Sequence, residues 1–136
     1  MRLYLFCLLS CVPLLSAHAQ ETTPQPPVKA TIGADGKQHV NILGGSYFFK
    51  PNHIIVKVNV PVELSVRLEP GMVPHTLVIQ APEAGMVIDS KLSSDTTVLT
   101  FTPTATGKYT FLCKNKLLFF KSHQDKGMHG ILEVVP

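Results

Sequence analysis

From Gln38 onward, apolar and polar residues alternate in short runs, and no stretch sustains the 3.6-residue period of an amphipathic helix. In Val62-Glu63-Leu64-Ser65-Val66-Arg67-Leu68 every second residue is apolar, and between Val56 and Val60 the polar Lys57 and Asn59 alternate with valines. Such alternation sets one face of a strand in a core and the other in water, and both segments are read as half-buried antiparallel strands. Runs of this kind predict strands at 39–43, 46–50, 54–58, 62–68, 75–80, 97–101, 108–113 and 130–135. Chain breakers stand between them at Pro51, Pro61, Pro70-Gly71, Pro82, Pro103 and Gly107. The segment 81–94 lacks a clear strand pattern and reads as a loop or a short helical turn. About eight short strands without a helix of consequence predict an all-β fold, a Greek-key β-sandwich.

The residues ahead of this pattern have other characters. Met1-Arg2 is followed by a largely apolar run from Leu3 to Leu15 and then by Ser16-Ala17-His18-Ala19, the layout of a signal peptide cleaved after Ala19. Leu8-Leu9-Ser10-Cys11 loosely resembles a lipoprotein box, but the apolar segment continues past Cys11 and a better cleavage site follows. The expected division is a signal peptide over 1–19, an extended or disordered lead-in over 20–37 with prolines at 24, 26 and 27, and a folded domain over 38–136. The expected location is the periplasm, with no stable membrane insertion after cleavage.

Charge and motifs exclude more than they identify. Without Arg2 the chain carries 11 basic and 9 acidic residues, too even a balance for a nucleic-acid surface. It has no P-loop, no dinucleotide fingerprint and no internal repeat. Cleavage after Ala19 also removes Cys7 and Cys11, leaving Cys113 as the lone thiol in a compartment where disulfides form readily. A metal would occupy it.

The neighbours of Cys113 supply the rest of a ligand set. His123 and Met128 follow in the same loop, and His75 begins an apolar run upstream. Two imidazoles, a thiolate and a weak thioether are what a blue-copper electron-transfer site uses. Zinc would accept Cys and two His but prefers carboxylate or water as its fourth ligand, and Asp125 is the one acidic residue in the loop. The expected cofactor is therefore copper, Cu(I)/Cu(II), one per chain, on His75, Cys113, His123 and Met128. His129 is a neighbour that lies at the rim or replaces Met128, and Met72, Met86, His39 and His53 are candidates for an auxiliary copper site. Thr76 stands where it could tie the two ligand loops together.

These residues carry a resemblance. Pro74-His75-Thr76, Phe111-Leu112-Cys113, His123 and Gly127-Met128-His129-Gly130 resemble the motifs of the cupredoxins, the type 1 or blue copper family that includes plastocyanin, azurin and rusticyanin. The resemblance covers roughly 38–135 and implies an eight-stranded sandwich with His75, Cys113 and His123 as equatorial ligands and Met128 as axial ligand. The departure is the gap between Cys113 and His123, where Lys114 to Ser122 form a longer, basic and apolar insertion than compact members have.

Four protein ligands leave no open position for a substrate, so the expectation is no enzyme but one-electron transport. Two functions remain: a periplasmic carrier that meets a cytochrome, oxidase or reductase, and a copper-binding protein for tolerance or delivery that meets a copper-handling protein. In the first, His123 lies near the surface as the electron port. Leu117, Leu118, Phe119 and Phe120 then form a docking patch flanked by Lys114, Lys116 and Lys121, unless they fold back over the metal.

Overall fold

The computed structural model describes residues 25–136 and folds them into two facing β-sheets. The expected signal peptide, Cys7, Cys11 and the start of the lead-in lie outside these residues. The strands are β1 (Val28–Lys29), β2 (Thr31–Ile32), β3 (Gln38–Gly45), β4 (Phe48–Lys50), β5 (His53–Lys57), β6 (Val62–Leu68), β7 (His75–Ala81), β8 (Met86–Leu92), β9 (Thr97–Phe101), β10 (Gly107–Leu112) and β11 (His129–Val135). The first sheet runs β1-β5-β11-β10-β7-β8; the second runs β2-β3-β6-β9, with β4 also paired to β3. No helix among the described residues is long and apolar enough to cross a membrane.

Alternation places the core as expected. β6 buries Val62, Leu64, Val66 and Leu68 and turns Arg67 to solvent. From the first sheet Ile54, Val56, Leu77, Ile79, Phe111, Leu132 and Val134 meet them. Phe49 of β4 and Phe111 of β10 join the two sheets with ring centroids 5.5 Å apart. A buried amide adds a polar tie: Gln38 Nε2 donates to the carbonyls of Lys57 (3.0 Å) and Val60 (3.1 Å), and its Oε1 accepts from Lys57 N–H (2.6 Å).

Three features differ from the sequence reading. β5 pairs only with parallel neighbours, β1 and β11, and β6 is parallel to β3 and antiparallel to β9. The sheets are therefore mixed, because the chain crosses from one sheet to the other between β3 and β6, and a crossing of that kind returns a strand parallel. The segment 81–94 holds a 3₁₀ turn at Pro82–Ala84, as one reading allowed, and then β8. That strand was hidden because Ser90 faces inward and Val87 outward, against the usual polarity, while Asp89 and Lys91 guard its free edge. Finally, β1 and β2 add to the sheets upstream of Gln38, so the extended lead-in joins the sandwich from Val28.

Candidate metal centre

Antiparallel register brings the candidate ligands to one end of the first sheet. Leu112 of β10 lies opposite Val78 of β7 and opposite His129 of β11. The start of β7, the residue after β10 and the residue before β11 consequently meet at that end. His75, Cys113 and Met128 occupy those positions.

His123 is returned to the same place by its backbone. Its N–H donates to the Asn115 carbonyl (2.9 Å), and its own carbonyl accepts from Met128 N–H (2.9 Å). The Met128 carbonyl in turn accepts from Cys113 N–H (3.0 Å). The long insertion is therefore closed at its base by a backbone hydrogen bond between Asn115 and His123.

The three donors form a triangle. His75 Nδ1 is 3.1 Å from His123 Nδ1, and Cys113 Sγ is 3.8 Å from the first and 3.4 Å from the second. A triangle with those sides has its centre about 2.0 Å from each corner, a metal–imidazole bond length and slightly less than a metal–thiolate one. Cys113 and Met128 are wholly buried, and His123 and His75 are 4% and 7% exposed. His75 is held below its ordinary pKa by burial and then by the neighbouring imidazole of His123. His123 is lowered by burial and then by the charge of Lys126. Both imidazoles thus favour the neutral form, whose free nitrogen can bind a cation.

Two residues unweighed in the sequence reading, and one that was foreseen, surround this triangle. Thr76 N–H donates to Cys113 Sγ (3.3 Å), and Thr76 Oγ1 donates to Asn115 Oδ1 (2.8 Å) while accepting from Lys114 N–H (3.1 Å). Thr76 therefore ties the ligand loops as anticipated, with Asn115 as the unforeseen partner. Tyr47 sets its ring edge-on to His123 (centroids 5.0 Å apart) and to His75 (6.3 Å), with Lys126 Nζ 4.2 Å over the ring. Tyr47 lies in a turn at φ 65° and far upstream, where no local pattern marks it.

Other candidates separate. His129 points outward, as the residue next to a buried Met128 at a strand start must, and does not join the cluster. Met72 is exposed and Met86 is in the core. His39 pairs with Asp35 and Glu63, and His53 with Glu133, so no auxiliary cluster gathers among the described residues. His123 is itself buried, directly beside the exposed residues Gln124, Asp125 and Lys126. His75 lines a cleft of about 550 Å³ with Tyr47, Glu69 and Met72. Leu117, Leu118, Phe119 and Phe120 do not fold back over the centre but are exposed.

No protein-family model and no curated protein matches this chain. Solved structures do. The metal-binding domain of a Cu(I)-exporting P-type ATPase of Streptococcus pneumoniae, solved with Cu(I), superimposes with a TM-score of 0.62 at 22% identity, over 82% of this chain and 97% of that one. Reduced auracyanin of the photosynthetic bacterium Roseiflexus castenholzii gives 0.56 at 19% identity, over 72% and 97%. The periplasmic domain of cytochrome oxidase subunit II of Bradyrhizobium japonicum gives 0.53 at 14%, over 71% and 83%. Likeness at these identities establishes architecture, and the architecture of this chain is the cupredoxin fold.

Proposed function

We propose that this chain is an exported type 1 copper protein that holds one copper on His75 Nδ1, His123 Nδ1, Cys113 Sγ and Met128 and passes single electrons. The observation that carries the reading is the buried triangle of two imidazole nitrogens and one thiol sulfur, with Met128 hydrogen-bonded through its backbone to two of the three residues. Copper would supply a one-electron couple, Cu(I)/Cu(II), that none of these side chains possesses. The donor set favours it over zinc, because no carboxylate joins the cluster and a thioether is a soft ligand.

The chain's own residues prepare that couple. Burial favours the neutral form of both imidazoles and shields Cys113 and Met128 from water. Thr76 N–H points at the sulfur, where it offsets negative charge on the thiolate. Tyr47 braces both rings from one side, so the donors are held before metal arrives. Four protein donors leave no place for a substrate, which argues for a carrier rather than an enzyme. Its partner would be a periplasmic cytochrome, oxidase or reductase.

The test is a visible absorption spectrum during Cu(II) titration of the chain from Gln20 onward. An intense blue or green band saturating at one copper per chain is expected. A colourless protein, or a preference for zinc, overturns the proposal.

A second reading, copper tolerance or delivery with the same ligands, is favoured by the cleft. It brings solvent to the wall formed by His75 and carries the exposed thioether of Met72, giving soft metal a way in and out. Fast electron exchange with a periplasmic cytochrome supports the carrier. Copper sensitivity on deleting the gene, with slow exchange, supports delivery.

A further inference from the structure

Between Cys113 and His123 the chain carries Leu117, Leu118, Phe119 and Phe120 to an apex where all four are exposed, from 62% for Phe120 to 100% for Phe119. Folding gives no reason for them. None belongs to the core, and Leu118 sits at φ 43°, a left-handed conformation that glycine or asparagine adopts more readily than a bulky side chain. The turn is closed by one backbone hydrogen bond, Phe120 N–H donating to the Leu117 carbonyl (2.9 Å).

The charges behind the apex are predominantly basic, Lys114, Lys116 and Lys121 against Asp125, whose carboxyl is held below its ordinary pKa first by Ser122 and in smaller part by Lys116 and Lys121. Lys114 is paired with Asp89, but Lys116 and Lys121 make no ion pair among the described residues. The nearest carboxylate in sequence, Asp125, is engaged by Ser122 through its N–H and its hydroxyl. Aromatic and aliphatic side chains with lysines just behind them are the composition of a segment lying at a lipid–water interface. Four residues on one turn also form a tip, not the plate of roughly 800 Å² a side that a stable protein interface covers.

We infer that this loop docks the protein on an anionic bilayer surface. Leu117, Leu118, Phe119 and Phe120 enter the boundary between headgroups and acyl chains, and Lys116 and Lys121 meet lipid phosphate. The metal centre, whose ligands Cys113 and His123 bracket the loop, is thereby held beside the membrane. The docking does not depend on copper and stands or falls separately from the proposed electron transfer.

The chain contains no tryptophan, so Phe119→Trp places a single reporter at a position where nothing packs. With vesicles containing phosphatidylglycerol, its emission is expected to shift to the blue and to be quenched by brominated acyl chains, and the protein to float with the vesicles. Binding is expected to fall by about tenfold or more on Leu117→Ser with Phe120→Ser, on Lys116→Glu with Lys121→Glu, or on pure phosphatidylcholine. Leu118→Asn separates docking from folding, because it is expected to keep or raise thermal stability while weakening vesicle binding. Emission that keeps its value in water, with the protein left in the supernatant, overturns the inference. So does capture of the apex by an acidic redox protein without any vesicle binding.

Discussion

The hydroxyl of Thr76 donates to Asn115 Oδ1 over 2.8 Å, joining the start of β7 to the loop that carries His123. The Asn115 carbonyl holds the His123 N–H, and Thr76 N–H reaches Cys113 Sγ. One threonine thus coordinates three of the four proposed ligands: it follows His75, bonds Cys113 and positions His123 through Asn115. Partners of this kind commonly set how well first ligands are oriented.

Thr76→Val keeps the shape and the backbone N–H but removes the hydroxyl. Copper affinity is expected to fall by about tenfold, within the range for residues that orient ligands, with the fold retained. Competition against a chelator measures it, and Thr76→Ser is expected to restore most of the loss.

Cys113→Ser removes the sulfur from a wholly buried position. The intense visible band of the copper-loaded protein is expected to vanish while the far-ultraviolet circular dichroism stays that of the β-sandwich. Colour that survives the change sinks the type 1 assignment.

Gly130 lies opposite Phe111 across the β10–β11 ladder, and the phenyl ring occupies the space a side chain would need. A Cβ there would also stand 2.6 Å from the Asn52 carbonyl oxygen. Gly130→Ala is expected to cost about 1–3 kcal/mol through overpacking, read as a lower urea midpoint.

Gln38→Leu would fill similar space but leave the carbonyls of Lys57 and Val60 and the N–H of Lys57 without their amide partner. The expected cost is about 2 kcal/mol or more, the penalty for unpaired buried polar groups. A urea midpoint unchanged from wild type would show that water satisfies these groups.

His39 is held above its ordinary pKa, first by its hydrogen bond to Asp35 and then by the charges of Asp35 and Glu63, against burial and Lys37. Asp35 is held below its own, first by His39 and then by Lys37 N–H. The histidine's contribution to stability is full below its unfolded pKa and is lost as pH rises through the folded one. The aspartate's is present above its unfolded pKa and is lost as pH falls through the folded one. The pair therefore supports the β2–β3 turn most between the two. NMR titration is expected to give a raised His39 pKa that Asp35→Asn returns toward the ordinary value.

Much of the centre was legible along the chain. A lone thiol past Ala19, with His75, His123 and a glycine-bracketed Met128, carries ligand chemistry in its residue types alone, and those types needed no fold to be noticed. The core was legible for a related reason: alternation is a local property of extended backbone, so β6 and β9 appear residue for residue where the pattern put them.

Sequence alone determined which side chains bear the chemistry and which faces are apolar. Tertiary structure decided how they meet. Whether β5 and β6 pair parallel or antiparallel depends on the path of the connections, which leaves no trace in a period of two. Tyr47 against His123, Asn115 against Thr76 and the cleft beside His75 come from segments far apart in the chain. The apex from Leu117 to Phe120 was readable as apolar, but an apolar run buries itself when the core has room for it. Here the run lies outside the core cluster and stands in solvent.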